Sequence, residues 1–253
     1  MKRKIILALV FIVLISSGYI TWQIFGPTIQ APEVKYFYIK NGEIYANVKQ
    51  ALIDEKIISS EYFFNLLAGR IKYPDRVKAG RYKIKNGMSL YNLLRMLRSG
   101  NQSPVNLVIT KLRTKEDLAQ KIAANFECDS ASFMQQLNNP KTWQQFQIDS
   151  NNILTSVIPN TYSIFWNSTA NKILEKLHAA SVKFWNEGRL SKARVLNLSP
   201  QQVYTMASIV EEETNKQTDK GKIASVYINR MAIGMKLQAD PTVKFALKNF
   251  KLT

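Results

Sequence analysis

Hydrophobic positions are distributed very unevenly along this chain. Lys2, Arg3 and Lys4 precede an unbroken apolar run from Ile5 to Ile15, which continues less strictly through Gly18, Tyr19, Ile20, Trp22 and Phe25. That approaches the roughly 20 residues a bilayer core requires. The basic flank predicts an N-terminus held inside, with the remainder extracytoplasmic. A cleaved signal peptide is the alternative, since the strictest apolar run is short. No small-x-small cleavage site follows it, and apolar residues resume after Ser16-Ser17-Gly18, which favours a retained anchor over residues 1–26.

Beyond the Pro-containing linker Gly26–Pro32 the pattern shortens and repeats. Tyr36-Phe37-Tyr38-Ile39 leads through Lys40-Asn41-Gly42 into a helical run from Ile44 to Glu55. Arg81-Tyr82-Lys83-Ile84 leads through Lys85-Asn86-Gly87 into another, from Leu90 to Arg98, striped by Leu90, Leu93, Leu94 and Leu97. Each copy reads as a strand of β-formers, an Asn-Gly turn and an amphipathic helix. Val105 to Ile109 reads as a further strand and Thr114 to Ala124 as a helix with Thr114 as its N-cap. The expectation is a small α+β domain over residues 33–110.

The second half is mainly helical. Glu127 to Ser156 is polar, with Phe133, Met134 and Leu137 on one helical face, and predicts short helices and loops. Ile158-Pro159-Asn160-Thr161-Tyr162 reads as a turn beside clustered aromatics. Ile173, Leu174, Leu177, Ala180 and Phe184 stripe a long helix from Thr169 to a stop at Gly188. Ser199-Pro200 is a natural N-cap and first turn for the next helix. Lys222 to Met231 carries another, Gly234 ends it, and Leu237 to Thr242 reads as an extended turn into a last helical run. The overall class is α+β.

The helix that starts at Ser199 ends in three consecutive carboxylates, Glu211, Glu212 and Glu213. At about 100° per residue, Glu213 falls within roughly 20° of Met206, whereas Glu211 and Glu212 point well away. Glu213 therefore prolongs the apolar stripe of Val203, Met206, Ile209 and Val210. A carboxyl there is expected to be partly desolvated, the setting of a general acid. The competing reading is a solvated acidic cluster at a fraying helix end.

Composition narrows the possible chemistry. The 253 residues carry 35 Lys and Arg against 18 Asp and Glu, a formal charge of +17. Such a balance suits an anionic partner or surface. No zinc-finger spacing and no aromatic RNA-binding strand accompany it, so nucleic acid is not expected. Cys128 and His178 are the sole cysteine and histidine. An intrachain disulfide is excluded, and neither a metal site nor a Ser-His or Cys-His triad is expected. No cofactor is expected.

Ala207-Ser208-Ile209-Val210-Glu211-Glu212-Glu213-Thr214, Tyr227-Ile228-Asn229-Arg230 and Leu237-Gln238-Ala239-Asp240-Pro241-Thr242-Val243 occur in this order. Together with Pro159-Asn160-Thr161-Tyr162 and the N-terminal apolar run, they resemble the MltG (YceG-like) endolytic murein transglycosylases. The resemblance is weakest over residues 103–156. It implies a LysM-like glycan-binding domain at 33–110, since AGRYKIKNGMS is close to that signature, followed by a catalytic domain at 111–253. It implies peptidoglycan glycan strands as substrate, cell-wall synthases as possible membrane partners, and a single-pass protein of the cytoplasmic membrane. The acid/base role falls on Glu213. Glu211 is expected to orient the helix or pair with Arg230. Asn229 and Gln238 would offer amides to the saccharide, Tyr162 and Asn160 would support it, and Asp240 would cap the following helix. Members of the family often have Asp where Asn160 stands, so no acid role falls there. They also continue past the Asp-Pro-Thr-Val run, and the catalytic domain is expected to be incomplete in a chain ending at Thr253. The alternative is a non-catalytic, anchored glycan-binding scaffold.

Overall fold

The structure, a computed structural model, describes residues 2–33 and 35–250. Val34 and residues 251–253, which fall inside the expected domain limits, lie outside the described residues. Among the described residues the chain forms a mixed, helix-rich fold with two small two-stranded sheets. It divides into two compact units: residues 1–107 with 125–128 and 163–169, and residues 108–124 with 129–162 and 170–253.

In the first unit α1 (Lys2–Phe25) is followed by β1 (Tyr36–Ile39), α2 (Tyr45–Asp54), α3 (Glu61–Arg70), β2 (Gly80–Lys83) and α4 (Leu90–Ser99). β1 and β2 pair antiparallel with Phe37 opposite Tyr82. The two Asn-Gly turns work through glycine's access to positive φ: Gly42 sits at +81° and Gly87 at +75°. Phe37, Ile39, Val48, Leu52, Phe64, Leu93, Leu94 and Leu97 form one core. Each such side chain contributes about 1.5–3 kcal/mol when fully buried. Ser89 caps α4, and Gly100 closes it in the left-handed conformation. α3 has no counterpart in the sequence reading. Ser60 caps it and it buries Phe63, Phe64 and Ala68, but its apolar residues cluster instead of forming a clean stripe.

β3 (Val105–Ile109) pairs with β4 (Asn160–Ile164). The Pro-Asn-Thr-Tyr stretch, expected as a turn, therefore enters a strand, with Tyr162 and Ile164 on its buried side. The second unit is otherwise helical: α5 (Lys115–Asn125), α6 (Ser130–Leu137), α7 (Pro140–Phe146), α8 (Ala170–Phe184), α9 (Glu187–Val195), α10 (Pro200–Glu213), α11 (Gln217–Ala232) and α12 (Asp240–Ala246). The long helix expected to stop at Gly188 ends earlier. Asn186 caps α9 by accepting from the Arg189 backbone N–H, and the Arg189 guanidinium donates to the Phe184 carbonyl at 2.9 Å. An N-cap two residues before Gly188 places that glycine inside a new helix.

Candidate active site

α10 carries the three carboxylates, and its start is strongly specified. The Ser199 hydroxyl accepts from the Gln202 N–H at 3.2 Å, and the Gln202 carboxamide accepts from the Ser199 N–H at 2.8 Å. Pro200 occupies the first turn. This reciprocal box satisfies two of the helix's free N–H groups. Met206, Ile209 and Val210 then bury one face against Tyr227 of α11 and Ala239, with Ile223, Ala224 and Leu237 alongside. Thr214 leaves the helix in extended conformation, so Glu213 is its last residue.

Three carboxylates at the C-terminal end of a helix face its partial negative charge. Each has its own partner. Glu211 accepts from Lys220, not from Arg230 as the sequence suggested. Arg230 donates instead to the Leu237 carbonyl, which holds the turn before α12. Glu212 is exposed and bracketed by Lys111 at 2.8 Å and by Arg113, whose Nε and Nη2 each donate at 3.2 Å. The Arg113 guanidinium also lies over the Phe250 ring, 5.1 Å from its centroid. Hydrogen bonds and charge from Arg113 and Lys111 hold the Glu212 carboxyl below its ordinary range, against the opposing effect of burial.

Glu213 accepts from the Tyr227 hydroxyl at 2.7 Å. The phenol is buried, and burial together with the bond to Glu213 pushes its pKa up to about 12. It therefore keeps its proton at neutral pH and is the donor in this bond. Glu213 itself is exposed. The expected desolvation of this carboxyl is not found, because the apolar stripe beneath it is covered by α11 and ends at Tyr227. Sequence reasoning placed Tyr227 in the Tyr-Ile-Asn-Arg motif but gave it no role at the site. A phenol among apolar positions, one helix away from an acidic stripe, was the available signal.

Of the other expected site residues, Asp240 lies near enough to Tyr227 for its charge to act on the phenol. Asn229 lies roughly 200° around α11 from Tyr227 and is exposed. Gln238 is exposed at φ +52°, a left-handed conformation uncommon for a residue with a side chain. Asp240 does not cap α12: Ala239 occupies that position, and Asp240 falls in the first turn, where a carboxylate still favours the helix dipole. Asn160 is exposed and its side chain accepts from the Thr161 N–H. Tyr162 is 4% exposed and its hydroxyl donates to the Ile158 carbonyl, so its ring belongs to the core and presents no stacking face.

An open groove of about 700 Å³ runs along the same α10 face, past Gln201, Thr205, Met206 and Ile209, with Gln147 and Asn152 contributing carboxamides. Glu213 is not among its lining residues; it stands one turn beyond Ile209, about 6 Å along the axis.

The YceG-like family model matches residues 37–253. The chain is 25% identical over 228 residues to a Bacillus subtilis protein named endolytic murein transglycosylase, covering 84% of this chain and 63% of that one. It is 26% identical over 277 residues to a Streptococcus pneumoniae protein of the same name, covering 97% of this chain and 50% of the other. The chain thus spans between half and under two thirds of these relatives' lengths. A crystal structure of a YceG-like protein from Listeria monocytogenes superposes with a TM-score of 0.54, over 87% of this chain and 78% of that one, at 24% identity. That likeness establishes the fold.

Proposed function

Because the chain belongs to the YceG-like family, we propose that it is a lytic transglycosylase whose acid/base is Glu213, acting on nascent peptidoglycan strands. The observation that carries this reading is the Tyr227–Glu213 hydrogen bond, which fixes one carboxylate at the open end of the α10 face. Its two neighbours are turned away and engaged with cations.

One carboxylate suffices for the chemistry. Protonated Glu213 gives its proton to the glycosidic oxygen linking N-acetylmuramic acid to N-acetylglucosamine, and the C1–O bond breaks. The carboxylate then removes the proton of the muramoyl C6 hydroxyl, whose oxygen attacks C1 and closes a 1,6-anhydro ring. No water is consumed, in contrast to glycosidases that use a second carboxylate for a water or a covalent intermediate. The Tyr227 hydroxyl fixes the direction of the carboxyl that makes both transfers.

The remaining features fit the same role. α1 is long and apolar enough to span a bilayer, with a mean hydropathy of 2.3 over the most apolar 18 residues of Arg3–Phe25. As a single-pass anchor of the cytoplasmic membrane, with its N-terminus inside, it would keep the site beside the synthases whose chains it terminates. The antiparallel strands β1 and β2 bracketing α2 and α3 support a LysM-like, glycan-holding domain at 33–110, ahead of a catalytic domain at 111–253. Glu213→Gln separates catalysis from scaffolding. Glycan cleavage is lost and glycan binding kept if Glu213 is the acid/base; wild-type and variant behave alike if the chain only binds.

A further inference from the structure

The apolar helix α1 does not stand clear of the unit that follows it. It packs against α3 and α4. Tyr19 meets the Phe63 ring edge-on at a centroid distance of 5.8 Å, and Phe25 meets Tyr91 at 5.5 Å. Around these contacts the surface is apolar and open: Tyr62 is 71% exposed, Leu66 42% and Tyr91 36%, beside Trp22 on α1 at 59%. Glu61, the acid in the first turn of α3, is neutralised by Lys49 at 2.6 Å.

Helix geometry sets the depth of this patch. A bilayer core takes about 20 helical residues, so a span beginning at Ile5, next to the basic flank, reaches the outer hydrocarbon boundary near Ile24. Tyr19 then lies about five residues inside that boundary, roughly 7–8 Å. Phe63 touches Tyr19, and Tyr62 packs edge-on against Phe63 at 5.3 Å. The start of α3 therefore lies at the hydrocarbon edge of the outer leaflet, next to its interfacial zone. Tyrosine and tryptophan prefer that zone, where an apolar ring and a polar tip are both accommodated.

We propose that the first unit is seated in the outer membrane–water interface, with Tyr62, Phe63 and Leu66 of α3 and Tyr91 of α4 contacting phospholipid. The occupant of this apolar face is the lipid surface itself, because the face is continuous with the membrane-spanning helix. The proposal rests on the reading of α1 as a retained anchor. It makes the anchor and the first unit one rigid fixture, so that the unit's height above the bilayer is set by α3 and α4 as well as by the linker.

The test uses the whole chain with Cys128 replaced by Ser, reconstituted in vesicles of phosphatidylethanolamine and phosphatidylglycerol. Nitroxide labels are placed one at a time at Ile12→Cys, Tyr62→Cys, Leu66→Cys and Lys83→Cys. Lys83 is exposed and alternates with Tyr82, which faces the core, so it reports the outward side of the sheet. Collision rates with oxygen and with an aqueous nickel complex report depth. The expected result is hydrocarbon depth at 12, interfacial depth at 62 and 66, and full aqueous access at 83. Aqueous access at 62 and 66 equal to that at 83, with 12 still in hydrocarbon, overturns the seat while leaving the anchor intact. Aqueous access at 12 overturns the anchor and the seat together.

Discussion

The Tyr227 hydroxyl donates to Glu213 Oε1 at 2.7 Å, joining the buried face of α11 to the last residue of α10. Removing that donor leaves the ring and its packing in place. Tyr227→Phe is therefore expected to fold normally and to lose roughly tenfold in kcat, the equivalent of about 1.4 kcal/mol. An unchanged kcat would mean that the bond is structural only.

Glu212 is the most heavily paired of the three carboxylates, held by Lys111 and Arg113 with its side chain 28% exposed. Partly exposed pairs are screened, and each is worth no more than about 1 kcal/mol. A double-mutant cycle on Arg113→Ala and Glu212→Ala should give a coupling of about 0.5–1 kcal/mol at low salt. It should shrink at high ionic strength. Zero coupling at low salt would remove this anchor from the end of α10.

The Ser199–Gln202 box predicts a cost at the other end of the same helix. Ser199→Ala should lower stability by about 1 kcal/mol, seen as a fall of about 2–4 °C in Tm. Ser199→Asp should keep most of that stability, since aspartate accepts from the same N–H. Equal losses in both variants would mean that the box is not what starts α10.

His178 supplies a pH signature. Its ring stacks on Phe146 at 4.0 Å, its Nδ1 lies 3.3 Å from the Ser156 hydroxyl, and burial lowers its pKa below the ordinary 6.5. The native state therefore binds this proton less readily than the unfolded chain does. The stabilising contribution is complete above pH 6.5 and is lost as pH falls through the lowered folded value. Denaturant titrations between about pH 7.5 and 5 should show stability falling, and His178→Phe should flatten that slope. An identical slope in the variant would assign the effect to other groups.

Periodic stripes were the legible part of the sequence. Leu90, Leu93, Leu94 and Leu97 identified α4, and the β3 limits, Val105 to Ile109, coincide with the observed strand. Ser199-Pro200 gave the start of α10 because capping is local chemistry. What depended on tertiary partners was not legible. The side chain of Asn186 split a continuous pattern into α8 and α9. Pairing with β3 turned a Pro-Asn-Thr-Tyr turn into a strand that buries Tyr162. At the site, helical spacing distinguished Glu213 from Glu211 and Glu212, and the three do diverge to different partners. Spacing within one helix could not reveal that Lys220, Lys111, Arg113 and Tyr227 supply those partners from elsewhere in the chain.

The central claim is that Glu213 performs both proton transfers of a water-free cleavage. The most direct measurement is mass spectrometry of uncross-linked glycan strands digested by the wild-type chain and by Glu213→Gln. The expected result is fragments ending in 1,6-anhydro-muramic acid from the wild type and intact strands from the variant. Fragments with ordinary reducing ends, or the same anhydro products from Glu213→Gln, would contradict it.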